Sequence, residues 1–172
     1  MLVDGVAKLY SRNSERDRNR LNARWRPFRS RQVLDDDGTP LRAAYLECND
    51  RLIYLTVSNF LSAAQAVFWS VAPEESFIRK SVGVQALFDI LKAVAADALA
   101  SQDVSVEYFT SRLSPGQMVH FEAPYFQASG IGRSRVRNCL AFAMGLTDQY
   151  PKAEELDAFR FAMRDCIPAD RS

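Results

Sequence analysis

Between residues 81 and 100 the apolar side chains Val84, Leu87, Phe88, Leu91, Val94, Ala95 and Ala98 recur every three or four positions, while Gln85, Asp89 and Lys92 fall on another face. This spacing predicts a central amphipathic helix, with Ser81 placed to cap it. Phe60, Ala64, Val67, Phe68 and Val71 form a second stripe, opened by Ser58 and closed by Pro73. Leu2, Val6, Leu9 and Tyr10 keep helical spacing near the N-terminus. Ser14-Glu15-Arg16-Asp17 resembles a capping box that opens a second short helix, which Pro27 would end. Only Leu21 and Trp25 give that helix an apolar edge, so it needs a docking surface to be stably ordered.

Further on, Val104 to Leu113 predicts a helix ahead of the turn residues Ser114-Pro115-Gly116. Another helix follows from Ser134, with Val136, Cys139, Leu140 and Ala143 inward and Gly145 at its end. A last one spans about Ala153 to Asp165, acidic early and basic late as the helix dipole favours, and Pro168 stops it. Two stretches look different. Ala43 to Cys48 and Arg51 to Val57 are expected to be extended and joined at Asn49-Asp50, a pair that tolerates a tight hairpin turn. Asp35 to Pro40 is an exposed turn, and Met118 to Phe126 is aromatic and irregular. The expected fold is therefore mainly α: a single helical domain (residues 32–172) with a small β-hairpin and a basic N-terminal arm (residues 1–31).

A chain of 172 residues with 48% hydrophobic and 25% charged residues is long enough for one real core and short for two. No apolar run is read as approaching the roughly 20 residues of a membrane span, and no secretory signal opens the chain, so a soluble, cytoplasmic protein with no membrane partner is expected. Cys48, Cys139 and Cys166 are odd in number and never in a CxxC pair, which argues for reduced structural thiols.

The net charge of +1 hides an asymmetry that changes the picture. Residues 1–31 hold nine basic against three acidic side chains, an excess of six positive charges, and the remainder carries an excess of five negative ones. Such an arm, with Arg16, Arg20 and Arg24 on its second helix, suits nucleic-acid phosphates, and equally an acidic surface of a partner or of the chain itself.

Candidate chemistry is sparse. His120 is the one histidine, with no nucleophile motif near it. Asp35 to Asp37 suit a turn, Glu154, Glu155 and Asp157 suit a helix N-terminus, and neither set has the spacing of a calcium loop. There is no phosphate-loop lysine motif and no dinucleotide fingerprint. No catalytic residue, metal or cofactor is assigned.

What remains is the run Ser129-Gly130-Ile131-Gly132-Arg133-Ser134-Arg135-Val136-Arg137-Asn138. Gly130 and Gly132 would let the backbone turn tightly, and Ser134 would cap a helix whose positive end faces an anion. Arg133, Arg135 and Arg137 would stand against the dipole in its first turn, which points to an anionic partner. At least two of the three are expected to be solvent-accessible and to face one concavity. The alternative is that Arg133 and Arg135 pair with carboxylates of the acidic body.

Three segments carry a family resemblance: Asp50-Arg51-Leu52-Ile53-Tyr54-Leu55-Thr56-Val57-Ser58-Asn59-Phe60-Leu61, Phe77 to Leu91, and Ser129 to Arg137. Together they resemble the C-terminal half of DGQHR-domain proteins, bacterial relatives of the regulator associated with DNA phosphorothioation, over roughly residues 40–145. The Asp-Gly-Gln-His-Arg string itself is absent, since Asp4-Gly5 is followed by Val6-Ala7. The resemblance implies a DNA-modification or phage-defence context, and the missing motif removes the basis for nuclease or nucleotide-hydrolysing activity. The expected function is a non-enzymatic, DNA-associated accessory or regulatory domain that contacts phosphates through arginines. The competing expectation is a protein-interaction module, its basic arm docked on an acidic partner or on a second copy of the chain.

Overall fold

The computed structural model describes residues 2–23, 31–127, 130–147 and 151–163. Over these residues the chain order is α1 (Leu2–Tyr10), α2 (Ser14–Ala23), α3 (Arg42–Leu46), α4 (Asp50–Ala64), α5 (Ser81–Ala100), α6 (Val106–Leu113), α7 (Gly130–Ala143) and α8 (Leu156–Met163). A π turn, Gln65–Trp69, continues α4. Short 3₁₀ segments at Arg31–Val33, Phe77–Arg79, Ser114–Met118 and Ala153–Glu155 fill the connections.

The mainly helical class stands. At its centre is α5, whose Leu87 and Leu91 are fully buried and whose Phe88 is 7% exposed. Each such side chain contributes roughly 1.5–3 kcal/mol, which sets the location of the core. α5 packs most extensively on α7, and α4 packs on α6, where Phe60 meets Phe109 edge-on at 5.5 Å. Phe68 meets Phe121 in the same way at 5.7 Å, so the irregular aromatic segment after α6 seals one end of the core. Gly145, at φ +67°, follows α7 as the left-handed residue expected after a helix.

The β-hairpin is not present: no strand occurs among the described residues, and both of its expected arms are helical. Asn49, read as a turn residue, is the N-cap of α4, and its side chain accepts from the Leu52 N–H. Cys48 takes the positive φ of 58°, which lets the chain turn from α3 into α4. Asn favours hairpin turns and N-caps for the same reason, its short polar side chain satisfying nearby backbone. Ile53, Thr56, Phe60, Ala63 and Ala64 then form one buried face of a single longer helix.

Other expectations shift in detail. Ser58 lies inside α4 and donates to the Leu55 carbonyl instead of capping a helix. Val71 is 70% exposed and does not join the buried stripe. Ser81 is the first residue of α5, preceded by Lys80 without a side-chain cap. The capping box is replaced by Asn13, whose Oδ1 accepts from the Arg16 N–H at 2.9 Å. The membrane expectation also needs correction, because residues 52–73 carry no charge. The helical run Asp50–Trp69 is long and apolar enough to cross a bilayer, although its Ile53, Phe60, Val67 and Phe68 are spent on this protein's own core. Trp25, Pro27, Cys166 and Pro168 lie outside the described residues, as do Arg164 and Asp165 of the last expected helix.

Residues 2–23 are tied into the body. Leu9 is 1% exposed, and its carbonyl accepts from the Leu41 N–H at 2.9 Å. Tyr10 stacks on Tyr45 with ring centroids 4.4 Å apart. α2 has almost no apolar face, and its docking comes from Asp17, a buried carboxylate bound by Ser11 Oγ at 2.7 Å and by Arg42 Nη1 at 2.6 Å. Arg42 is itself 1% exposed and also donates to the carbonyls of Asp35 and Tyr10.

Candidate functional site

The helix that carries the glycine and arginine run starts at Gly130, four residues ahead of the expected cap, so Ser134 is an exposed residue within α7. Gly132 is buried against the chain just before it: a Cβ there would overlap the Gln127 carbonyl, whereas a Cβ on Gly130 would meet nothing within 4 Å. Gly132 is thus required by close backbone packing, and neither glycine forms a turn ahead of the helix. Ser129 lies outside the described residues.

Two of the three arginines are engaged within the molecule. Arg133 donates through Nε and Nη2 to both oxygens of Asp89, at 2.8 and 2.6 Å, and pins α7 to α5. This pairing raises the Arg133 guanidinium above its ordinary value. Arg135 donates to the Tyr125 carbonyl at 2.9 Å and pairs with Glu155, its guanidinium lying 4.5 Å from the Tyr125 ring centroid. Burial pushes the Tyr125 phenol up to about 12, so it stays neutral beside that cation. Of the three, Arg137 alone is exposed, and it donates to its neighbour Asn138. The expectation of two accessible guanidinium groups facing one concavity is therefore corrected: Arg133 and Arg135 follow the carboxylate alternative.

The basic N-terminal segment divides differently. Arg20 pairs with Asp35 at 2.6 Å, with the two side chains 42% and 70% exposed. The Arg20 hydrogen bond, and then its charge, hold the Asp35 carboxyl below its usual value. Asp37 accepts from the Arg12 backbone N–H at 2.6 Å and lies 3.9 Å from the Arg42 guanidinium. The Asp35-Asp36-Asp37 turn is thus the acidic surface against which part of the segment docks. Arg16 and Arg18 remain exposed on α2, with no ion pair among the described residues, although the Arg16 charge helps lower the Asp35 carboxyl. Arg24 lies outside the described residues.

Sequence reasoning missed Arg42 as the organising side chain. Its signal was a lone arginine in the run Leu41-Arg42-Ala43-Ala44, next to a triple aspartate. His120 lies 3.4 Å from Glu122 and 5.8 Å from the Phe161 ring centroid. No group of three or more His, Cys, Asp or Glu side chains suited to a metal occurs among the described residues. Comparison of the chain with protein-family models, curated proteins and solved structures gives no match.

Proposed function

We propose that this chain is a non-enzymatic accessory or regulatory domain that associates with DNA in a bacterial DNA-modification or phage-defence setting, and that α2 is its phosphate-contacting element. The observation that carries this reading is the division of labour on α2. Asp17 anchors one side through a buried pair with Arg42, which leaves Arg16 and Arg18 held out to solvent with no ion pair among the described residues. A helix that is rigidly mounted and bears unpaired guanidinium groups meets phosphates at little ordering cost. The setting itself rests on the resemblance to DGQHR-domain proteins, and the cytoplasm is the matching location. Arg133 and Arg135 serve as fold-stabilising pairs in this reading, and Arg137 is exposed.

A protein-docking reading is favoured by a different observation. Tyr54 is 69% exposed on the outward side of α4, flanked by the part-exposed Leu55 and Leu61. The two readings separate in a titration of labelled generic duplex at several salt concentrations. Binding that falls linearly on a log–log salt plot supports phosphate contact, whereas absence of binding at low salt refutes it and leaves the docking reading.

A further inference from the structure

The polar face of α5 borders a cavity of about 210 Å³ where α1, α5 and α7 meet. Val84, Gln85, Phe88, Asp89 and Lys92 share this side of α5, as residues one turn apart do. Asp4, Gly5, Lys8 and Leu9 of α1 and Arg133 of α7 complete the lining. The floor is apolar, made by Leu9, Val84 and the Phe88 ring. Gly5 lets α1 approach α5 closely beside that floor, since a Cβ there would come within 2.9 Å of the ring.

Above the floor stand three cations. Lys8 and Lys92 are exposed, and Arg133 has spent only Nε and Nη2 on Asp89, leaving Nη1 without a partner among the described residues. Two carboxylates, Asp4 and Asp89, share the lining, and Asp89 is already paired with Arg133. We infer that this cavity is a binding site for a small organic carboxylate with a compact apolar body. The apolar part rests on Phe88 and Val84, and the anionic head meets Lys8, Lys92 and the spare Arg133 donor. This site does not depend on DNA contact by α2.

Benzoate is a suitable probe, followed by amide-resolved NMR on the whole chain. Saturable shifts centred on Gly5, Lys8, Gln85, Phe88 and Lys92 are expected, with weaker binding of inorganic phosphate, which lacks the apolar body. The double variant Lys8→Ala, Lys92→Ala changes two exposed side chains and leaves the fold intact, and it should weaken benzoate by roughly tenfold or more. Three results would each overturn the inference: no saturable shift at these residues, equal benzoate affinity in the double variant, or equal binding of benzylamine.

Discussion

Replacing Arg42 with alanine removes the side chain that ties the N-terminal helices to the body. Its guanidinium donates to Asp17 at 2.6 Å, to the Asp35 carbonyl at 2.8 and 2.6 Å, and to the Tyr10 carbonyl at 3.0 Å. In the variant, Asp17 keeps only Ser11 among these donors and remains a buried charge. Breaking a buried pair from one side costs about 3–5 kcal/mol, a large share of the roughly 5–15 kcal/mol that holds a domain together. Equilibrium urea unfolding at neutral pH should show this loss, with the melting temperature lower by roughly 6–20 °C. Removing both partners, as Arg42→Met with Asp17→Leu, should cost less than Arg42→Ala alone, because no unpaired charge is left.

The pH dependence carries a sign. Burial raises the Asp17 carboxyl, but hydrogen bonds from Arg42 and Ser11 and the Arg42 charge outweigh it, so the folded value lies below the ordinary one. Stability from a depressed carboxyl is complete above the unfolded value of about 3.9 and is lost as pH falls through the folded value. The gap between wild type and Arg42→Ala should therefore narrow under acid. A loss below about 1 kcal/mol at neutral pH, the range of an exposed pair, would refute the view that Arg42 and Asp17 anchor the N-terminal segment.

Three other changes test the packing. Gly132→Ala should cost at least about 2 kcal/mol by forcing a Cβ into the Gln127 carbonyl, whereas Gly130→Ala should be neutral or gain up to about 1 kcal/mol in helix propensity; thermal unfolding distinguishes them. Arg133→Ala, which breaks a pair whose side chains are 33% and 23% exposed, should lower stability by about 1 kcal/mol, while Arg137→Ala leaves the urea midpoint unchanged. A chain beginning at residue 32 loses Leu9 from the core and leaves Arg42 without Asp17, so it should lack a cooperative calorimetric transition.

The elements that were legible in the sequence are those whose pattern is local and long. The α5 stripe spans about four turns and admits one period, and Gly145 and Pro73 punctuate as their backbone chemistry requires. The region 43–57 was ambiguous because Leu, Ile, Tyr, Thr and Val suit a strand, and Asn49 suits a hairpin as well as an N-cap. Burial of Ile53, Thr56 and Phe60 against the body decided for helix. The charged partners were hidden for another reason. Arg133 and Asp89 are 44 residues apart, Arg42 and Asp17 are 25 apart, and Arg135 and Glu155 are 20 apart. A cation count reads the charge available before folding, and these contacts remove Arg133 and Arg135 from it.

That α2 offers Arg16 and Arg18 outward while α7 uses Arg133 and Arg135 inward is tested most directly by fluorescence anisotropy on a generic duplex over a salt series. Wild type, Arg16→Ala with Arg18→Ala, and Arg133→Ala with Arg135→Ala are compared under conditions where all three are folded. The α2 variant should lower the logarithmic salt slope by roughly 1.8, for two lost phosphate contacts, and the α7 variant should keep the wild-type slope. A slope that falls only in the α7 variant would contradict it.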